Sequence, residues 1–280
     1  MTALLTAAAL TILQVGPNPA TGGMPGVPDE LRDRPPRAEP VERAPQTTLA
    51  TCLQQASSNP QAALDTAQRW RETGTADLDF AQSAHCLGLA LVRLGRMDEA
   101  RQAFELASAE APVDNLAYAA RLAAMAGNAA VSEGDLENAI ALLDRAGGMA
   151  LAAPDGELAA DLRVDLARVL VRAGREEDAA SALAEAREAD GLDAEAWLLS
   201  ATLSRRMERL GEAQAQIQRA AMLDPRNPQV GLEAGVIAAL AGREDDARQS
   251  FASVIEVAPG TPEAARAQDY LEQLGSAAEE

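Results

Sequence analysis

Residues 81–114 read AQSAHCLGLALVRLGRMDEARQAFELASAEAPVD, and within them small and apolar residues form a ladder: Gly88, Gly95, Ala100, Phe104, Ala107 and Pro112. The ladder returns four more times. Its later copies run Gly127-Gly134-Ala139-Leu143-Ala146, Ala167-Gly174-Ala179-Leu183-Ala186, Ala201-Glu208-Ala213-Ile217-Ala220-Pro225 and Gly235-Gly242-Ala247-Phe251-Val254-Pro259. Corresponding rungs lie 39, 40, 34 and 34 residues apart. A unit of this length cannot bury an apolar face alone. Copies in phase must stack on one another, which predicts a solenoid.

The rungs have distinct physical roles. Gly88, Gly127, Ala167, Ala201 and Gly235 fall in the middle of a first helix, where a missing side chain admits a second helix. Ala100, Ala139, Ala179, Ala213 and Ala247 do the same from the second helix. Phe104, Leu143, Leu183, Ile217 and Phe251 are expected to fill the space between one pair and the next. Gly95, Gly134, Gly174 and Gly242 mark the turn, where a helix ends on a residue that tolerates positive φ. In the fourth copy the turn glycine is expected at Gly211.

On these residues the chain resembles the tetratricopeptide repeat family over about 81–261. The resemblance implies an all-α, right-handed superhelical solenoid of helix-turn-helix repeats and a protein-interaction function. The aromatic expected early in the first helix occurs only as Trp197, and the tyrosine position reads Leu91, Ala130, Leu170, Ser204 and Ala238. The expected organisation is a signal peptide over 1–20, a Pro/Gly-rich disordered linker over 21–46 and a solenoid over 47–274. The solenoid divides into a degenerate cap pair at 47–79 and repeats at about 81–114, 120–153, 160–193, 194–227 and 228–261. A capping helix at 262–274, burying Ala265, Tyr270, Leu271 and Leu274, and a disordered tail at 275–280 complete it.

Composition restricts the partner. The net charge is −19, which argues against nucleic acid or an anionic membrane surface. Aromatics are 2% of the chain, leaving few rings to stack on bases. All 24 basic residues are arginine, a residue suited to bidentate carboxylate contacts. The uncharged apolar run Met1–Val15 matches the hydrophobic region of a secretory signal, so a periplasmic location is expected, with a cytoplasmic one as the alternative. Cys52 and Cys86 fall on neighbouring first helices. A bridge between them suits an oxidising compartment, whereas two free buried thiols fit the sequence slightly better.

No catalytic constellation is legible. His85 is the only histidine, and neighbouring Cys86 points about 100° away from it on a helix, so the two are not a nucleophile and its base. No glycine-rich loop follows a strand, and no spacing suits a metal, so no enzyme activity, cofactor or metal site is expected. Gly147-Gly148 reads as a helix end. Glu176-Glu177-Asp178 and Glu244-Asp245-Asp246 read as first-turn acids favoured by the helix dipole.

In the resembling family, first helices line a concave face that grips extended peptides. The phase of the ladder places His85, Leu89, Val92 and Arg93 there, then Arg121, Asn128, Val131 and Ser132. Asp161, Val164, Arg168 and Arg172 follow, then Leu198, Thr202, Arg205 and Arg206, and finally Gln229, Leu232 and Val236. Six arginines on one face, with Asp161 and Glu195 beside them, predict a positive groove for a protein or an acidic peptide segment. No small-molecule substrate is expected. The alternative is a self-associating structural protein of the cell envelope, a homo-oligomer built through the apolar far end at Leu232, Val236 and Leu240.

Overall fold

The structure is a computed structural model describing residues 47–276. The expected signal, the linker and residues 277–280 lie outside the described residues. Among the described residues every element is a helix. Two helices, α1 (Thr48–Ser58) and α2 (Pro60–Thr73), precede the ladder. The five copies are α3/α4 (Asp77–Arg93, Met97–Glu110), α5/α6 (Leu116–Glu133, Leu136–Ala152), α7/α8 (Gly156–Arg172, Glu176–Ala189), α9/α10 (Ala194–Arg206, Leu210–Leu223) and α11/α12 (Pro228–Leu240, Glu244–Val257). The last helix, α13 (Pro262–Ser276), runs two residues past the expected end at Leu274.

The helix boundaries follow local chemistry. Asn59 accepts from the Ala62 N–H and is followed by Pro60, so one residue both ends α1 and starts α2. Asn115, Asp135, Asp155, Asp193 and Asn227 cap α5, α6, α7, α9 and α11 in the same way. The acids Glu176-Glu177-Asp178 and Glu244-Asp245-Asp246 open α8 and α12. Copies with the longer period have longer helices: α5 and α6 hold 18 and 17 residues, against 13 and 14 for α9 and α10.

The core is built from small residues in close contact. Ala100, Ala139, Ala179, Ala213 and Ala247 are fully buried. Phe104 differs from expectation, because its ring lies over Gly88 within its own pair, and a Cβ on Gly88 would come within 2.5 Å of it. Phe251 covers Gly235 likewise, leaving no room for a Cβ. Where the covering residue is Leu183 or Ile217, the first helix carries Ala167 or Ala201 instead, while Gly127 lies under Leu143, so a ring always meets glycine but glycine also admits leucine. The end face is closed by Ala264 and Ala267 of α13, with Tyr270 stacked 5.2 Å from Phe251, while Ala265 faces solvent.

Three expectations are corrected. The fourth turn does not use Gly211, which lies inside α10. Glu208 itself takes the left-handed conformation, φ 62°, with the same hydrogen bonds that follow Gly95: Glu208 N–H to Arg205 and Arg209 N–H to Ser204. Helix α6 does not stop at Gly147-Gly148. Arg163 of α7 packs against Gly147, where a Cβ would lie 2.9 Å from its Nε, and pairs with Asp144 and Glu185. The glycine therefore serves a buried arginine. Cys52 and Cys86 are not free thiols: a disulfide joins α1 to α3, with Cα atoms 6.0 Å apart.

Candidate partner-binding face

Along each first helix, residues spaced i, i+4, i+7 and i+11 point away from the paired second helix. In α5 these are Arg121, Met125, Asn128 and Ser132, and in α7 Asp161, Asp165, Arg168 and Arg172. Helix α9 contributes Glu195, Leu199, Thr202 and Arg206, and α11 Gln229, Glu233, Val236 and Leu240. Arg121, Asn128, Arg168, Arg172, Thr202 and Arg206 therefore lie on this row, and Leu89 and Arg93 extend it onto α3. Val164 and Leu198 do not. They are buried, displaced by one residue from Asp165 and Leu199, because the ladder fixes helix phase only to within one position.

His85 is not presented to a ligand. Its ring sits between Phe104 and Tyr118, with Nδ1 3.1 Å from the Tyr118 oxygen, so it belongs to the seam between α3 and α5. Burial keeps its pKa below the usual histidine value and pushes the Tyr118 phenol up to about 12.

The electrostatics differ from a uniformly positive groove. Arg168 bonds Asp165 at 2.9 Å and Glu195, tying α7 to α9. Arg205 bonds Glu233, tying α9 to α11. Arg206 reaches Glu176 at 2.8 Å, and Arg121 lies 3.6 Å from Asp155. Four of the six arginines thus hold neighbouring helices together, while Arg93 and Arg172 make no ion pair among the described residues. Toward the N-terminal ends of α7 and α9, carboxylates gather. Partial withdrawal from water, then the charges of Asp193, Glu157, Asp165 and Glu195, hold the Asp161 carboxyl above its usual range. The face is acidic at one edge and basic at the other.

Between these edges an apolar cleft of about 190 Å³ opens between α7 and α9. Val171, Leu199 and Leu203 wall it, and Arg168, Thr202 and Arg206 stand at its rim. It would admit one aliphatic side chain and present guanidinium groups beside it. Val171 and Leu199 went unread in the sequence. Their signal was the same spacing that located Arg168 and Thr202, advanced by a few positions. Among the described residues no group of acids, histidines and cysteines is arranged to hold a metal ion, and no helix is long and apolar enough to cross a membrane.

Comparison with known proteins agrees with this architecture. No curated protein matches the chain in sequence. Among solved structures, YrrB, described as a TPR protein with an unusual peptide-binding site, superimposes with a TM-score of 0.53 at 21% identity, over 72% of this chain and 96% of its own. PilF of Pseudomonas aeruginosa gives 0.56 at 15% identity, over 80% and 97%. BtubC from P. vanneervenii gives 0.58 at 16% identity, over 76% and 91%. At these identities the likeness is one of fold. Sequence profiles described as tetratricopeptide repeat match residues 81–114, 130–203 and 200–265, spans that contain every rung of the five ladders except Gly127. Residues, helix pairs and profiles converge, and the chain belongs to the tetratricopeptide repeat family.

Proposed function

We propose that this protein is a non-catalytic scaffold that holds an extended segment of a partner protein across the row of first helices. The supporting observation is the apolar cleft between α7 and α9, framed by Arg168, Thr202 and Arg206. An aliphatic side chain of the partner enters between Val171 and Leu199. A carboxylate beside it meets Arg172, which makes no ion pair among the described residues, and Arg206. The chain does this in an oxidising compartment, the periplasm, a placement supported by the Cys52–Cys86 disulfide.

The test is affinity capture from envelope and soluble extracts with wild type, Leu199→Glu and Arg172→Glu. Both variants are expected to lose the partners that wild type retains, with unchanged helical circular dichroism. Equal capture by all three would exclude the cleft. A second reading, self-association through α11, rests on Leu240, which is 58% exposed. Sedimentation of wild type beside Leu240→Glu decides it: a dimer converted to a monomer supports it, and a monomer throughout removes it.

A further inference from the structure

A second cavity, of about 370 Å³, lies on the second-helix side of the molecule, between α8 and α10 with α9 as its floor. Polar groups converge there, among them the Arg209–Glu177 ion pair at 3.2 Å and three groups that make no hydrogen bond or ion pair among the described residues. Ser204 is 6% exposed and its hydroxyl makes no hydrogen bond among the described residues. Gln216 Oε1 is buried and unbonded. Arg187 forms no ion pair among the described residues. Its guanidinium lies over the Trp197 ring, 4.9 Å from the centroid. The indole is itself fixed by its Nε1–H, which donates to the Gly191 carbonyl at 3.1 Å.

A buried polar atom without a partner is rare in folded proteins, and Gln216 Oε1 beside a half-buried arginine calls for a cause. A guanidinium stacked by its face keeps its edge N–H groups free, and that edge fits a carboxylate bidentately. Burial lowers the Arg187 pKa, against the raising influence of Glu212 and Glu188. A half-buried cation in this state gains more from a ligand anion than an exposed arginine does. Gln216 Oε1 can only accept, so the complementary ligand carries an N–H donor next to its carboxylate.

We propose that this cavity binds an α-carboxylate with its adjacent N–H, Arg187 receiving the carboxylate and Gln216 Oε1 the N–H. Two sources carry this chemistry: a free amino acid and the last residue of a peptide. Glu212 at the rim favours an ammonium and hence the free amino acid, whereas an acylated N–H marks a peptide end.

Indole N–H signals from nuclear magnetic resonance of the full chain report on the site directly. The chain has two tryptophans, and Trp197→Phe assigns them. The probes are alanine, N-acetylalanine and N-acetylalanine amide. A saturable shift of the Trp197 signal is expected with at least one carboxylate and none with the amide, and the tighter of the two identifies the source. Arg187→Gln is expected to weaken binding about ten-fold or more. Gln216→Leu, which keeps Arg187 and its stacking in place, is expected to weaken it as well. No saturable shift with either carboxylate, an equal shift with the amide, or full affinity in both variants would overturn the proposal.

Discussion

Glu208 holds a backbone conformation that the equivalent residues in the other copies, Gly95, Gly134, Gly174 and Gly242, reach as glycine. A non-glycine residue there is strained by about 1–2 kcal/mol. Glu208→Gly is expected to stabilise the fold by about 1 kcal/mol after the added freedom of the unfolded chain is subtracted. Urea unfolding should show the gain as a higher midpoint at unchanged slope. The adjacent glycines of α6 give an opposed pair of expectations. Gly148 has open space around it, and Gly148→Ala should gain roughly 0.5–1 kcal/mol from helix propensity. Gly147→Ala should lose stability, since its Cβ would meet Arg163. Sequence alone could not separate the two, because the reason for Gly147 lies sixteen residues away on another helix. The same limit hid Glu208, whose strain is imposed by the turn and not by its own preference.

At the scale of the helix, the seam between α3 and α5 depends on a neutral His85. Burial lowers its pKa, so the unfolded chain takes up the proton that the folded chain refuses. Stability should therefore be full above the ordinary histidine pKa of about 6.5 and decline as pH falls below it. Urea midpoints at pH 7.5 and 5.5 test this, and the decline should be smaller in His85→Gln. The disulfide joins the helices on either side of α2 and spans 34 residues. Chain entropy for a loop of that length gives it about 3–4 kcal/mol, and reduction should lower the melting temperature by the corresponding amount. Pairing of helices, four of the five turn residues and the capping helix were legible as spacing. Inter-helix partners such as Arg205–Glu233 and Arg168–Glu195 were not, since spacing along a chain does not specify which carboxylate a long side chain reaches.

For the molecule as a whole, charge along the row of first helices is organised across it, acid toward one edge and base toward the other. A partner with carboxylates placed at random should bind poorly, and one with its carboxylate beside an aliphatic residue should bind well. Because Arg168, Arg205 and Arg206 also tie helices together, replacing them with Arg172 by alanine should lower stability as well as capture. Arg172→Ala alone should lower capture only, which thermal melts beside capture would show. The acidic total of the chain was plain from composition, yet the local mixture needed three dimensions, because the acids that meet these arginines come from neighbouring helices. A stack of pairs touches only its neighbours, so it can come apart from either end. Here one end carries a covalent bolt between α1 and α3, while the other is shut by the single helix α13. Drawn out by force or by a processive protease, such an array has a direction: it unravels from the α13 side, copy by copy, and the bolted pairs are the last to yield.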